Sequence, residues 1–166
     1  MKPSDANRLS RGLPRSHPAW WISCAGGIGM ASKAPGTWGS LAALPPSYLI
    51  ATLFAPEALL VAALGVAAIG YAAVRTYLQR TGNAADPQEI VIDEVAGQML
   101  TLSLLPPHLA TYAAGFLIFR LLDIWKPFPI RWIDRNVAGA AGVMLDDLLA
   151  GAIGLIVMKL AVSYAA

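Results

Sequence analysis

Ala58-Leu-Leu-Val-Ala-Ala-Leu-Gly-Val-Ala-Ala-Ile-Gly-Tyr-Ala-Ala-Val74 contains no charged side chain and is closed by Arg75 and Arg80. Alanine and leucine favour helix, and a tract of this length approaches what a hydrocarbon core of about 30 Å demands. Toward the amino terminus, Glu57 interrupts the apolar material at a short loop, Ala55 to Glu57. Ahead of it Ala34 to Pro56 is a second uncharged tract. Its helical part is expected to begin near Trp38 and to kink at Pro45-Pro46, where two backbone donors are missing. The two tracts therefore form a hairpin. Positive residues flank its other ends, which the positive-inside rule assigns to the cytoplasm.

The whole chain shares this character. Of its 166 residues 57% are hydrophobic and 13% charged, and one domain of that size cannot hide so much apolar surface from water. A bilayer can receive the surplus. A formal charge of +2 gives no argument for a nucleic-acid partner, and the lone Cys24 excludes an internal disulfide framework and a cysteine-rich metal site. The predicted fold class is all-α, a multipass helical membrane protein with kinked or re-entrant segments. Residues 1–18 form a polar basic arm and residues 19–166 a single membrane-embedded domain.

Within the arm, Arg8, Arg11 and Arg15 suit contact with anionic headgroups. Cleavable targeting is disfavoured, because Gly26, Gly27 and Gly29 break the only candidate apolar run and Lys33 closes it. Those glycines do not form a nucleotide-binding pattern either. Trp20 and Trp21 are expected at the membrane interface. Pro35-Gly36-Thr37 reads as a turn, with Thr37 or Ser40 available to cap the helix that follows.

Toward the carboxyl terminus, Gly82 to Ile92 reads as a loop. The uncharged tract Val95 to Phe119 is interrupted by Leu105-Pro106-Pro107-His108. One continuous span would carry the two most polar regions to opposite sides of the membrane. Two short segments or a re-entrant hairpin would bring them together, and cooperation between the acidic regions favours this return. At least one short arm must then pack against protein. A last span is expected over Leu148 to Ala166, with Lys159 snorkelling toward headgroups and Gly151 and Gly154 allowing close helix packing.

The chemistry resides in acidic pairs set inside apolar sequence, Asp93-Glu94 and Asp146-Asp147, joined by Asp123 and Asp134. Carboxylates near hydrocarbon are costly unless they face water, a cation or a helix N-terminus. On a helix Arg120 and Lys126 each lie three positions from Asp123, and Arg131 and Asp134 repeat that spacing with Arg135 beside them. Pro127 is expected to end the helix at Lys126. An oxygen-seeking Mg²⁺ ion suits the carboxylates, while arginine and lysine suit phosphate. His17 and His108 sit in no metal motif, and Cys24 reads as a packing residue.

Taken in order, Ala34-Pro-Gly-Thr-Trp-Gly-Ser-Leu41, Asp93-Glu-Val-Ala-Gly97, Phe119-Arg-Leu-Leu-Asp-Ile-Trp-Lys-Pro-Phe-Pro-Ile-Arg131, Asp134-Arg135 and Gly142-Val-Met-Leu-Asp-Asp-Leu-Leu-Ala-Gly151 resemble the phosphatidylglycerophosphatase A family across nearly the full length after the arm. Ser32 stands where proline is common in that pattern, and Ala140 where a second glycine is. The resemblance implies a magnesium-dependent, multipass inner-membrane phosphatase that converts phosphatidylglycerophosphate to phosphatidylglycerol, facing the cytoplasm and needing no obligatory protein partner. Asp93, Glu94, Asp123, Asp146 and Asp147 are the expected catalytic and metal-binding residues. Arg120, Lys126, Arg131 and Arg135 are expected to recognise phosphate, with Pro35, Gly36, Thr37 and Asp134 in support. A membrane phosphate-group transferase and an ion-coupled transporter are the rival readings of the same acidic groups.

Overall fold

Prolines at the start of helices and small residues along them set the architecture. The computed structural model describes residues 13–82 and 87–165, so Arg8 and Arg11 of the arm lie outside the described residues. The elements are α1 (Pro18–Ser23), a 3₁₀ segment (Ala25–Met30), α2 (Pro35–Leu53), α3 (Pro56–Thr81), α4 (Ile92–Leu102), α5 (Leu109–Trp125), α6 (Ile130–Asn136) and α7 (Gly139–Ala165). The described residues are thus all-α.

Pro18, Pro35 and Pro56 each occupy the first turn of their helix, where a missing N–H costs nothing. Pro35-Gly36-Thr37 is accordingly the first turn of α2 instead of a separate turn, and no side chain caps it. Ser40 turns inward and donates its hydroxyl to the Gly36 carbonyl at 2.9 Å. Helix α2 continues through Pro45 and Pro46, and Ser47 donates to the Ala43 carbonyl at 2.6 Å in that region. Helix α3 is longer than the uncharged tract, running on past Arg75 and Arg80 until Gly82 ends it with a φ of 68°.

Helices α3 and α7 each offer 26 residues of membrane length, with mean hydropathy 2.0 and 1.9. Their exposed faces carry Val61, Leu64, Ile69, Ile156 and Leu160. Contiguous apolar surface of that kind is unfavourable in water, so the protein is membrane-associated.

Between these long helices lies α4. At 11 residues it extends only about 16 Å, too short to cross a bilayer unaided. It packs instead against α2, α3, α5 and α7. The chain then doubles back: after the 103–108 connection, α5 returns toward the start of α4, and the two acidic regions meet. At the far end of the bundle the Leu104 N–H bonds the Pro56 carbonyl at 3.3 Å. Buried Ala43, Leu59, Ala63, Met99, Leu102 and Tyr112 fill that end. Trp20, Cys24, Val74, Tyr77, Ile92 and Met144 fill the other.

Helix α7 begins nine residues before the span expected from sequence, at Gly139 and not at Leu148. Asp146 and Asp147 therefore sit two turns inside a membrane-length helix. They are tolerated because both face protein, each less than a tenth exposed.

Candidate active site

Helix α4 docks unusually closely on α7, and this contact assembles the site. A Cβ on Gly151 would lie 2.5 Å from the Gly97 carbonyl oxygen, and one on Gly97 would lie 2.6 Å from the Asp147 carbonyl oxygen. Only residues without side chains permit that approach. The Thr101 hydroxyl bridges the seam, 3.0 Å from the Gly97 carbonyl and 3.3 Å from that of Gly151. On the opposite flank Gly36 and Gly39 of α2 abut Glu94 and Val91.

These contacts bring Asp93 and Glu94, in the first turn of α4, against Asp147 of α7. One ligand oxygen from each of the three lies within 4.8 Å of the others. Asp123, from the last turns of α5, stands beside them, and Asp147 feels the charges of Asp123, Glu94 and Asp146. Arg120 is ion-paired with Asp123 through Nη1, which also lies 3.4 Å from Ser40 Oγ. Asp123 is thus neutralised by Arg120, while Asp93, Glu94 and Asp147 crowd one another beside that pair. At an effective dielectric of about 20, two like charges about 4 Å apart repel by roughly 4 kcal/mol, so the cluster calls for a further cation. Its all-oxygen donor set, without histidine or cysteine, fits a hard divalent ion.

Asp146 is not one of this group of three and is bound instead by Lys126. Lys126 adopts left-handed backbone geometry (φ 46°) at the end of α5, and its ammonium bridges Asp134 and Asp146 at 2.5 Å each. Burial works against the ammonium, but the two carboxylates outweigh it and hold its pKa above the usual lysine value.

A cleft of about 840 Å³ opens over the cluster. Glu94, Arg120, Asp123 and Lys126 line it, together with Pro35 and Gly36 at the N-terminus of α2. Asp93, Asp146 and Asp147 are not among its lining residues. The expected three-residue pairing of Arg131 with Asp134 does not form, because Arg131 donates to the Trp125 carbonyl at 3.0 Å and Asp134 is held by Lys126. Arg131 and Arg135 are exposed on α6 and do not line the cleft; Thr37 does not line it either. Ser32 is at the rim and Ala140 in the first turn of α7, so neither departure from the family pattern removes a charged group. His17 accepts the Ala19 N–H at 3.1 Å as the cap of α1, and His108 precedes α5 at the far end.

Sequence reasoning passed over three polar residues at or near the site. Ser40 meets Arg120. Glu89 lines the cleft and accepts a hydrogen bond of 2.8 Å from the Tyr77 hydroxyl. Gln98 follows Glu94 by one turn on the same face, fully buried, with both amide atoms lacking hydrogen-bond partners. A polar amide in an apolar helix four residues after an acid was the available signal for Gln98.

Fold and site together define a helical membrane-associated protein with a carboxylate centre suited to a divalent cation, under a cleft whose Arg120 and Lys126 suit phosphate. The sequence profile of the phosphatidylglycerophosphatase A family matches residues 21–162, and the chain belongs to that family. It is 43% identical over 142 residues to phosphatidylglycerophosphatase A of Escherichia coli strain K12, covering 85% of this chain and 81% of the relative. It is 33% identical over 150 residues to the Haemophilus influenzae phosphatidylglycerophosphatase A, covering 89% and 90%. No solved structure matches the chain.

Proposed function

We propose that the protein hydrolyses phosphatidylglycerophosphate to phosphatidylglycerol and inorganic phosphate, using Mg²⁺, at the cytoplasmic face of a bacterial inner membrane. The observation that carries this reading is the convergence of Asp93, Glu94 and Asp147 beneath a cleft that also presents Arg120. Asp93, Glu94 and Asp147 would hold the ion, with Asp123 beside them. Bound there, Mg²⁺ supplies neutralisation of phosphate charge.

The protein's own groups account for the remaining requirements. Arg120, fixed by Asp123 and Ser40, offers its guanidinium fork to two phosphate oxygens, and Lys126 adds a point charge at the cleft wall. The N-terminus of α2, at Pro35 and Gly36, favours an anion at the same place. Glu94 reaches the cleft and is placed to take a proton from the attacking water and return it to the glycerol oxygen as the phosphorus–oxygen bond to that oxygen breaks. Asp146 and Asp134 act through Lys126 by holding its ammonium. Arg131 and Arg135 serve as interfacial charges.

The membrane placement rests on two distributions. Trp38, Trp125 and Trp132 are each more than half exposed and cluster at the cleft end, as an aromatic belt does at a headgroup boundary. Among the described residues every lysine and arginine except Lys159 lies toward that same end, the pattern of a cytoplasmic face. Helices α3 and α7 would then span the bilayer, while α4 and α5 form a hairpin returning to the cytoplasmic side.

The test is phosphate release from phosphatidylglycerophosphate in liposomes, with and without Mg²⁺, by wild type and Asp147→Asn, beside protease protection. Metal-dependent release of phosphatidylglycerol and phosphate, nearly lost in the correctly inserted variant, is expected. Transfer of phosphate to a second lipid, or no reaction by inserted wild type, would overturn the assignment.

A further inference from the structure

Helices α2 and α5 run side by side in opposite directions, and two contacts fix their register. Near the cleft Arg120 Nη1 meets Ser40 Oγ; deeper in the bundle the Tyr112 hydroxyl donates to the Ser47 carbonyl at 3.2 Å. At that deeper level a second hollow of about 390 Å³ lies between the same two helices. Leu44, Pro45, Leu49, Leu109 and Ala113 line it, together with the edge-to-face rings of Tyr48 and Tyr112, 5.7 Å apart. No charged residue lines it, and the Tyr112 hydroxyl is already engaged by the Ser47 carbonyl.

The spacing relates the two hollows. Counted at 1.5 Å per helical residue, the lining of the groove lies about 12–20 Å from Gly36 along α2 and about 10–17 Å from Arg120 along α5. One leaflet of the hydrocarbon core is about 15 Å deep. Between the cleft and the groove neither helix carries a charged side chain. An amphiphile whose phosphate rests at Arg120 therefore finds, one leaflet deeper and along the same helix pair, an apolar slot.

We propose that the groove between α2 and α5 binds an acyl chain of the lipid whose phosphomonoester occupies the cleft, making Leu44, Leu49, Leu109 and Ala113 determinants of chain preference. This rests on the reading of the cleft as a lipid-phosphate site, but it makes a separate claim. A general film of bilayer lipid would cover the groove without regard to headgroup, whereas a subsite of one bound molecule couples headgroup to chain.

Two measurements test the coupling. Ala113 is exposed, so Ala113→Trp fills the groove without disturbing the core. Its kcat/KM should fall about tenfold on a dipalmitoyl substrate, as expected when roughly two methylenes lose their contacts, and less than about twofold on a dihexanoyl substrate with the same headgroup. Equal loss on both substrates, or no loss on the longer one, would overturn the subsite. Photo-crosslinking with diazirine-tagged phosphatidic acid and equally tagged phosphatidylcholine needs no turnover. Preferential labelling of the groove by the phosphomonoester, weakened in Arg120→Ala, is expected. Equal labelling by both lipids would overturn the proposal even if hydrolysis is confirmed, while preferential labelling by a protein that releases no phosphate would uphold the groove and defeat the phosphatase assignment.

Discussion

Gly151→Ala would place a methyl carbon 2.5 Å from the Gly97 carbonyl oxygen, where carbon–oxygen contacts ordinarily relax to about 3.3–3.6 Å. Backbone stands on both sides of that contact, so no side chain can swing away and α4 must move from α7 by about 1 Å. Such overpacking costs on the order of 1–3 kcal/mol of stability. The larger effect falls on the site, because Asp93 and Glu94 ride on α4 while Asp147 rides on α7. Three ligand oxygens now within 4.8 Å of one another would separate by a similar amount. A displacement of about 1 Å can cost on the order of 100-fold in turnover. The assay is phosphate release against Mg²⁺ concentration in proteoliposomes, with thermal unfolding alongside; both the half-saturating Mg²⁺ and kcat should worsen. Gly154→Ala meets only the Thr101 side chain at 3.0 Å and should be milder. Gly65→Ala meets nothing within 4 Å and should be neutral, or stabilising by up to about 1 kcal/mol through helix propensity. A folded Gly151→Ala protein with wild-type Mg²⁺ dependence would refute the idea that the glycine seam sets the metal geometry.

Three further outcomes follow from other parts of the molecule. Lys126→Met should lower kcat/KM by about tenfold or more, because it removes a cleft cation and strands buried Asp146, whereas Asp134→Asn should lower it less than about threefold; equal effects would contradict the bridging role. Burial pushes the Cys24 thiol up to about 11, so maleimide should label the folded protein slowly at pH 8 and the denatured protein fast. Because the unfolded thiol ionises first, near its ordinary pKa of 9.0, this group's contribution to stability is present below that pH and is lost as pH rises through about 11; rapid native labelling at pH 8 would contradict the burial. Lys159→Met should leave phosphate release unchanged, since Lys159 is exposed at the end of α7 away from the cleft, and a large loss in inserted protein would show that it has a functional role.

The apolar tracts, the acidic pairs and the return of the chain through Leu105 to His108 were legible because each is a local property of composition or a consequence of length. An 11-residue helix cannot cross a bilayer, and two acid-bearing segments at the ends of a hairpin meet. The start of α7 was not legible, since a charged pair in apolar sequence resembles a boundary. What makes Asp146 and Asp147 interior is Lys126, twenty residues before Asp146, together with α4 packed alongside. The role of Pro35 was obscured by an ambiguity of chemistry, because Pro-Gly-Thr suits a turn and a helix N-terminus alike. Arg131 spaced three residues from Asp134 was equally suited to pairing, until the left-handed turn at Lys126 offered Asp134 a nearer cation. Gly151 was legible as a residue allowing close helix packing, but its partner Gly97 lies fifty-odd residues earlier, and no spacing rule within either helix announces that pairing.

The exposed tryptophans beside the cleft also bear on how the reaction would be counted. A site at headgroup depth meets its lipid by lateral diffusion, and the acyl chains need never enter water. Withdrawing a sixteen-carbon chain would cost about 13 kcal/mol at about 0.8 kcal/mol for each methylene, a barrier this arrangement avoids. The effective concentration is then a mole fraction in two dimensions, so diluting the substrate with inert lipid should slow the enzyme while diluting the vesicles with buffer should not.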